Sequence, residues 1–250
     1  MNWAFYRQQL GTWLDSEREQ GSLWLLWFVL LPLAPLVAYM MLGLLRVLPG
    51  TDDIPRALYI VLGMTAWMLF SEATQSPGQS ITRNRSSFVR QEINLFELLT
   101  AWLPGRMTVL AMQICFCLVA AWLLKPFSLA GFSTYLGLLF VGLILFISFG
   151  AIIGILGLIA PGFAKLVETS NRFLLFVSAA IFPLPDSETI ALLKQANPYY
   201  VFIDASRQAL FDLSVPWELV GYWLLGGGVV LIILFARLPA ISADVREFLQ

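Results

Sequence analysis

Few side chains in this sequence can do chemistry, and their types narrow what that chemistry is. Histidine is absent, which removes the commonest general base and the commonest metal ligand. Without it no hydrolase-type pair of nucleophile and base can be assembled. Cys115 and Cys117 stand two apart in an apolar run. On a helix they point to different faces, so they read as packing groups rather than as a disulfide or a chelate. No glycine-rich loop leads into Lys-Ser/Thr, and Lys165, the nearest candidate, lacks both parts. The chain is therefore expected to carry no catalytic residue, ATPase site, metal or cofactor of its own.

What remains are polar groups in apolar surroundings. Glu72 is the only acid well inside a long apolar stretch. It lies about 22 Å along a helix starting near Ala57, at 1.5 Å per residue. There it is either a functional acid or one that snorkels to the inner mouth. Asn197 can cap a helix that has Pro198 at its first position, where the missing N–H costs nothing. Asp204 and Arg207 are three apart and can pair, so Asp204 is the expected local partner of Arg207. The cation either pins its segment to a neighbouring span or contacts substrate. Asn94 and Glu97 have capping-box spacing. Leu95, Leu98, Leu99, Trp102 and Leu103 then give residues 94–103 one apolar face, with Pro104-Gly105 as the stop. This segment is either the frayed start of the next span or a lever that docks into a cytosolic partner.

The elements that must position these groups follow from composition. Of 250 residues, 59% are apolar and 12% charged, with mean hydropathy +0.78. A soluble domain carries roughly a quarter charged residues, and one core cannot hide this much apolar surface. Lipid must cover much of it. Net charge is −1, with no basic face for nucleic acid. Residues 1–22 read as an amphipathic helix, in the headgroup plane or packed on protein, and not as a cleavable leader. Apolar stretches predict spans at about 23–45, 57–80, 106–124, 134–158, 166–182 and 217–236, followed by a polar tail at 238–250. Asp186 or Ser187 can cap a short helix before the Asn197 helix. Neither is long enough to span, so 187–212 reads as a re-entrant pair or a structured outer loop. Gly150 and Gly154 form a small-xxx-small pair for close helix approach, within the chain or between subunits.

Basic residues set the orientation. Arg7, Arg18, Arg83, Arg85, Arg90, Arg106, Lys165, Arg172, Arg237 and Arg246 fall in one alternating set; the other holds half as many. The richer set should face the cytoplasm, with both termini inside and 186–215 outside. The fold class expected is thus all-α integral membrane, with six spans, an N-terminal interfacial helix and a re-entrant pair before the last span.

This order resembles the transmembrane permeases of ABC-2 type exporters, especially those of capsular polysaccharide and O-antigen. The resemblance rests on Gly21-Ser22-Leu23-Trp24 before the first span, on Gly63 and Trp67 with Ile81, Asn84 and Phe88, on Phe182-Pro183-Leu184, and on Asn197-Pro198 followed by Arg207. The family often has a basic residue and Phe-Pro leading into its coupling helix; Asn94-Leu95-Phe96-Glu97 stands there here. The resemblance implies a bacterial inner-membrane homodimer that moves lipid-linked glycan. Two copies of a separate ATPase would bind ATP and Mg, and periplasmic or outer-membrane export proteins would follow. It also implies ATPase coupling at Asn94, Leu95, Phe96, Glu97, Leu99 and Trp102, an outer gate at Asn197, Pro198, Asp204 and Arg207, and an inner mouth at Trp67 and Glu72. The alternatives are an ABC-2 exporter of a small hydrophobic compound, or a non-transporting assembly factor or lipid-modifying enzyme.

Overall fold

The computed structural model describes residues 3–19, 21, 23–49, 51, 53–90, 92–185 and 187–249. Ser22 and Asp186, named in the motifs above, lie outside them. Among the described residues all regular structure is helical: α1 (Trp3–Arg18), α2 (Trp24–Leu44), α3 (Arg56–Arg83), α4 (Arg85–Val89), α5 (Leu95–Thr100), α6 (Leu103–Leu124), α7 (Leu129–Ile159), α8 (Pro161–Val177), α9 (Glu188–Ala196), α10 (Pro198–Leu210) and α11 (Trp217–Leu249). Five of them, α2, α3, α6 with the α5 turn before it, α7 and α11, are long and apolar enough to cross a membrane. The chain is an all-α, multi-pass membrane protein.

Centrality follows from residue type. The apolar window of α3 is 83% buried, against 11% for α2 and 17% for α11. Thus α3 is the axis, and α2 and α11 present Leu, Val and Ile outward. Small residues bring α7 onto it. Pro77 has no N–H, so the Ala73 carbonyl loses its helical partner. Gly150 fills that place: a methyl group there would collide with the Ala73 and Thr74 carbonyls, and one on Gly154 would meet the Gly78 backbone. The small-residue pair therefore serves packing inside the chain. Above it Phe70 stacks on Phe146 at 4.6 Å, and Phe202 meets both edge-on. Each such pair adds about 0.5–1.5 kcal/mol beyond its burial.

Several expectations shift. The stretch expected to span at 166–182 forms α8, which begins and ends about five residues earlier and, at 17 residues, is not among the five helices long and apolar enough to cross a membrane. Pro161 is pre-organised for a first-turn position, so α8 starts without a linker. The expected stop at Pro104-Gly105 lies inside the first turn of α6 for the same reason. The polar tail expected at 238–250 is helical as far as Leu249 and continues α11 through Pro239. Ser187 accepts the Ile190 N–H at the start of α9.

Both chain ends lie at one end of the bundle. Phe5 and Tyr6 of α1, Phe88 of α4, Leu95 and Leu98 of α5 and Val245 of α11 form one buried cluster. The Tyr6 hydroxyl shares a 2.6 Å hydrogen bond with Thr100 Oγ1, and burial holds it above its ordinary ionisation range. Arg246 lies over the Phe88 ring at 4.8 Å. At the opposite end Lys125 donates to the Asp53 carbonyl at 2.6 Å, and Gly131 lets α7 approach the carbonyls of Ala209 and Leu210.

Gly150→Val should lower the melting temperature of the purified chain, by a loss of about 1–3 kcal/mol from overpacking. Gly137→Val, on the same helix but with open space beside it, should leave it unchanged in the same scan.

Candidate functional sites: a clamped arginine, an inner cavity and a capped turn

The segment 187–212 is built around Arg207, whose side chain is fully buried. Burying a cation without a partner costs several kcal/mol, and the partner is not the one expected. Among the described residues Asp204 makes no ion pair with it; Asp204 instead accepts from Gln208 Nε2 at 2.7 Å. Arg207 Nη2 donates to the carbonyls of Ala179 and Ala180, each at 2.7 Å. Its guanidinium carbon stands 3.8 Å from the centre of the Tyr59 ring, a cation–π contact.

Those carbonyls are free because α8 ends at Val177. Ala179 takes φ +52°, the left-handed region that costs an alanine roughly 1–2 kcal/mol. A helix C-terminus carries partial negative charge, which suits a cation. Gly63 supplies the space, since a methyl group there would coincide with Arg207 Nη2 and the Ala180 carbonyl.

Asn197 holds the same place from the other end of α10. Its Oδ1 accepts the Tyr199 N–H at 3.0 Å, completing the cap. Its Nδ2 donates to Ser178 Oγ at 3.1 Å and reaches the Val177 carbonyl at 3.4 Å. Asn197 and Arg207 do not touch. They clamp four consecutive residues, 177–180, between them, with Pro198 fixing the first turn. The Tyr199 hydroxyl donates to Thr74 Oγ1 at 2.8 Å, while Leu210 reaches Gly131 near the start of α7. So α10 runs from about two-thirds of the way along α3, at Thr74, to the end of the bundle opposite the termini.

Trp67 and Glu72, expected at an inner mouth, line one cavity of about 450 Å³ bounded by α1, α2, α3 and α6. Glu72 Oε2 accepts from Ser76 Oγ at 2.7 Å and lies 3.5 Å from Arg106 Nε. Both charges are partly exposed, so the pair adds little stability. Trp13 forms the roof. Its ring packs on Gly105, where a methyl group would be about 3 Å from it, and lies edge-on to Phe28.

The capped turn is α5. Asn94 Oδ1 accepts the Glu97 N–H at 2.8 Å, and the Asn94 N–H donates to Glu97 Oε2 at 3.1 Å, a complete capping box. The helix is six residues long, shorter than the expected 94–103. Its apolar face turns inward: Leu95, Leu98 and Leu99 are buried in the cluster with Phe5 and Tyr6. Leu99 is 4% exposed, so it anchors the turn to its own chain and forms no docking surface. Asn94, Arg90 and Glu92 are exposed, and Phe96 and Trp102 are half-buried.

Sequence reasoning passed over Gln113, Asn171 and Tyr59. Gln113 Nε2 donates to the Pro32 carbonyl at 2.9 Å, tying α6 to α2. Asn171 Nδ2 donates to Ser71 Oγ at 2.5 Å, tying α8 to α3. The signal was present, since an amide inside an apolar run marks an interhelical contact or a pathway. No protein-family model matches the chain, and no curated protein matches it.

Arg207→Leu should destabilise the chain by about 3 kcal/mol, because it strands two buried carbonyls. Gly63→Ala should cost a similar amount by displacing the guanidinium. The two together should cost much less than their sum, as a thermal double-mutant cycle will show. Leu99→Asp should lower the melting temperature of the isolated chain itself, by about 3 kcal/mol or more for a buried unpaired charge.

Proposed function

We propose that the chain is the transmembrane permease subunit of an ABC exporter of lipid-linked polysaccharide. In this reading it crosses the bacterial inner membrane six times, with α8 as the fifth crossing and both termini in the cytoplasm. The shared end of α1 and α11 supports an even number of crossings, and the basic residues toward that end, among them Arg7, Arg18, Arg83, Arg85, Arg90 and Arg246, support its orientation. The α9–α10 pair is then re-entrant from the outer side, entered and left through the end where Leu210 meets Gly131.

The observation that carries the reading is the outward face of α8. Lys165, Glu168, Thr169 and Arg172 are exposed there, one turn apart. Asn171 fixes their depth by its bond to Ser71, which lies about 18 Å from the inner end of α3 at 1.5 Å per residue. Glu168 and Arg172 pair there at 3.4 Å, but charged groups at such depth are costly in lipid and almost always face water or another polar surface. A second copy of the chain would enclose it as a hydrated pathway. Two copies of a separate ATPase, carrying ATP and Mg, would dock on the rigid α4–α5 elbow through its polar rim at Arg90, Glu92 and Asn94. The sequence resemblance supplies the glycan as cargo, and the wealth of aromatic rings suits it.

Deletion of the gene should leave glycan inside the cell and remove it from the surface. Cysteines at Glu168 and Arg172, in a background without Cys115 and Cys117, should react with a water-soluble thiol reagent. Unchanged surface glycan, or sites that react only with membrane-soluble reagents, would count against the reading.

A further inference from the structure

Beside the cavity of Trp67 and Glu72 lies a second one of about 280 Å³, and the two share Trp13, Glu17 and Arg106. They differ in chemistry. The second chamber lies at the inner end of α3 and is walled by Gln9, Ser76, Gln79, Ser80, Asn84 and Trp102, with Arg83 beside them. The first extends toward the bundle middle along Trp27, Phe28, Leu31, Pro35, Met68 and Val109. Trp27 and Leu31 of that wall are 48% and 67% exposed on the lipid-facing helix α2. One chamber is polar and points to the inner surface; the other holds the Glu72–Arg106 pair, Ser71 and Gln113, is otherwise aromatic and apolar, and opens toward lipid. That is the outline of an amphiphile with its head inward.

The wall also says which head. Arg106 is paired with Glu72 of the adjoining chamber at 3.5 Å, and Glu17 offsets Arg83 in formal charge, so no net charge is left over to select an anion. It offers three amides, two serine hydroxyls and two indole rings. A sugar has polar edges that need both donors and acceptors, and C–H faces that lie against rings. Trp102 Nε1 is a buried wall atom of the polar chamber without a hydrogen-bond partner among the described residues; Trp67 Nε1 and Gln113 Oε1 are the same in the adjoining chamber, where head meets chain. Volumes near 300–1,000 Å³ are usual for small-molecule sites. Helix α1 closes the chambers as a roof. It brings Gln9, Trp13 and Glu17, and it joins α2 through Gly21 at φ +103°.

We infer that the paired chambers beneath α1 bind one glycolipid, with its sugar in the polar chamber and the start of its chain in the aromatic one. Only the fate of the bound lipid, its export, rests on the function proposed above.

The test uses the full chain, purified and placed in phosphatidylcholine nanodiscs. Binding of radiolabelled dodecyl maltoside, kept below its micelle concentration, is compared with dodecylphosphocholine, dodecyl phosphate and free maltose. The maltoside should bind about tenfold tighter than the phosphocholine and than free maltose, roughly 1.4 kcal/mol in each comparison. Gln79→Ala should weaken the maltoside about fivefold and leave the phosphocholine unchanged, while Val109→Trp should weaken both by filling the apolar chamber. Equal binding of maltoside and phosphocholine would reduce the site to a tail groove and overturn the inference. Tighter binding of dodecyl phosphate would make it an anion site, with the same result. Maltoside binding with unchanged surface glycan in the deletion strain would instead refute the exporter and leave this site standing.

Discussion

The arrangement of this bundle depends on where the charge of Arg207 goes. A guanidinium buried at that depth must be answered, and among the described residues no carboxylate forms an ion pair with it. Two main-chain carbonyls and one phenol ring answer it. For those carbonyls to be free, α8 must end early and turn through a left-handed alanine. For the guanidinium to reach them, position 63 must lack a side chain. For α10 to present it, its first turn must be fixed by Asn197 and Pro198. Five features that look separate along the chain are conditions of one interaction.

That dependence explains what the sequence could and could not tell. Long apolar stretches are local signals, and they located α2, α3 and α6 to within about three residues, α7 except for its first five, and the start of α11 but not its end, which lies thirteen residues further on. Caps are local too, so the Asn94–Glu97 box and the Asn197-Pro198 start were legible. Arg207 was legible as unusual, but its partner was not. The nearest charge along the helix is Asp204, whereas the partners are backbone atoms 27 and 28 residues away, and a carbonyl leaves no mark in a sequence. Likewise the apolar stripe of α5 was visible, but not whether it faced a partner or its own chain. Tyr6, far upstream, decides that by bonding Thr100.

Glu72 and Trp67 belong to a different balance. They stand where α3 changes from a wholly buried helix to one with hydroxyls, amides and an acid on its surface. That change lets one helix serve as both core and wall. Its first half packs against α2, α7 and α10; its second half faces the chambers under α1 and the amide of Asn171 on α8. The Pro77 break and the glycines of α7 fall in that second half, so close backbone packing replaces side-chain packing where polar residues displace apolar ones.

The length of α11 has a mechanical consequence. It runs unbroken for 33 residues, about 50 Å at 1.5 Å per residue, from the end that holds Lys125 and Asp53 to the cluster of the termini. There Arg246 and Val245 grip α4 and the core of α5. Near its other end, Trp223 Nε1 donates to the Gln195 carbonyl at the close of α9. Between those attachments the rod can bend only where Pro239 removes a backbone hydrogen bond and where Gly226-Gly227-Gly228 weaken the helix. A rotation of about 5° about one end would carry the other through roughly 4 Å, given that length. The helix pair at one face of the bundle and the capped turn at the other are thus joined through a single helix, along a path that bypasses the buried arginine.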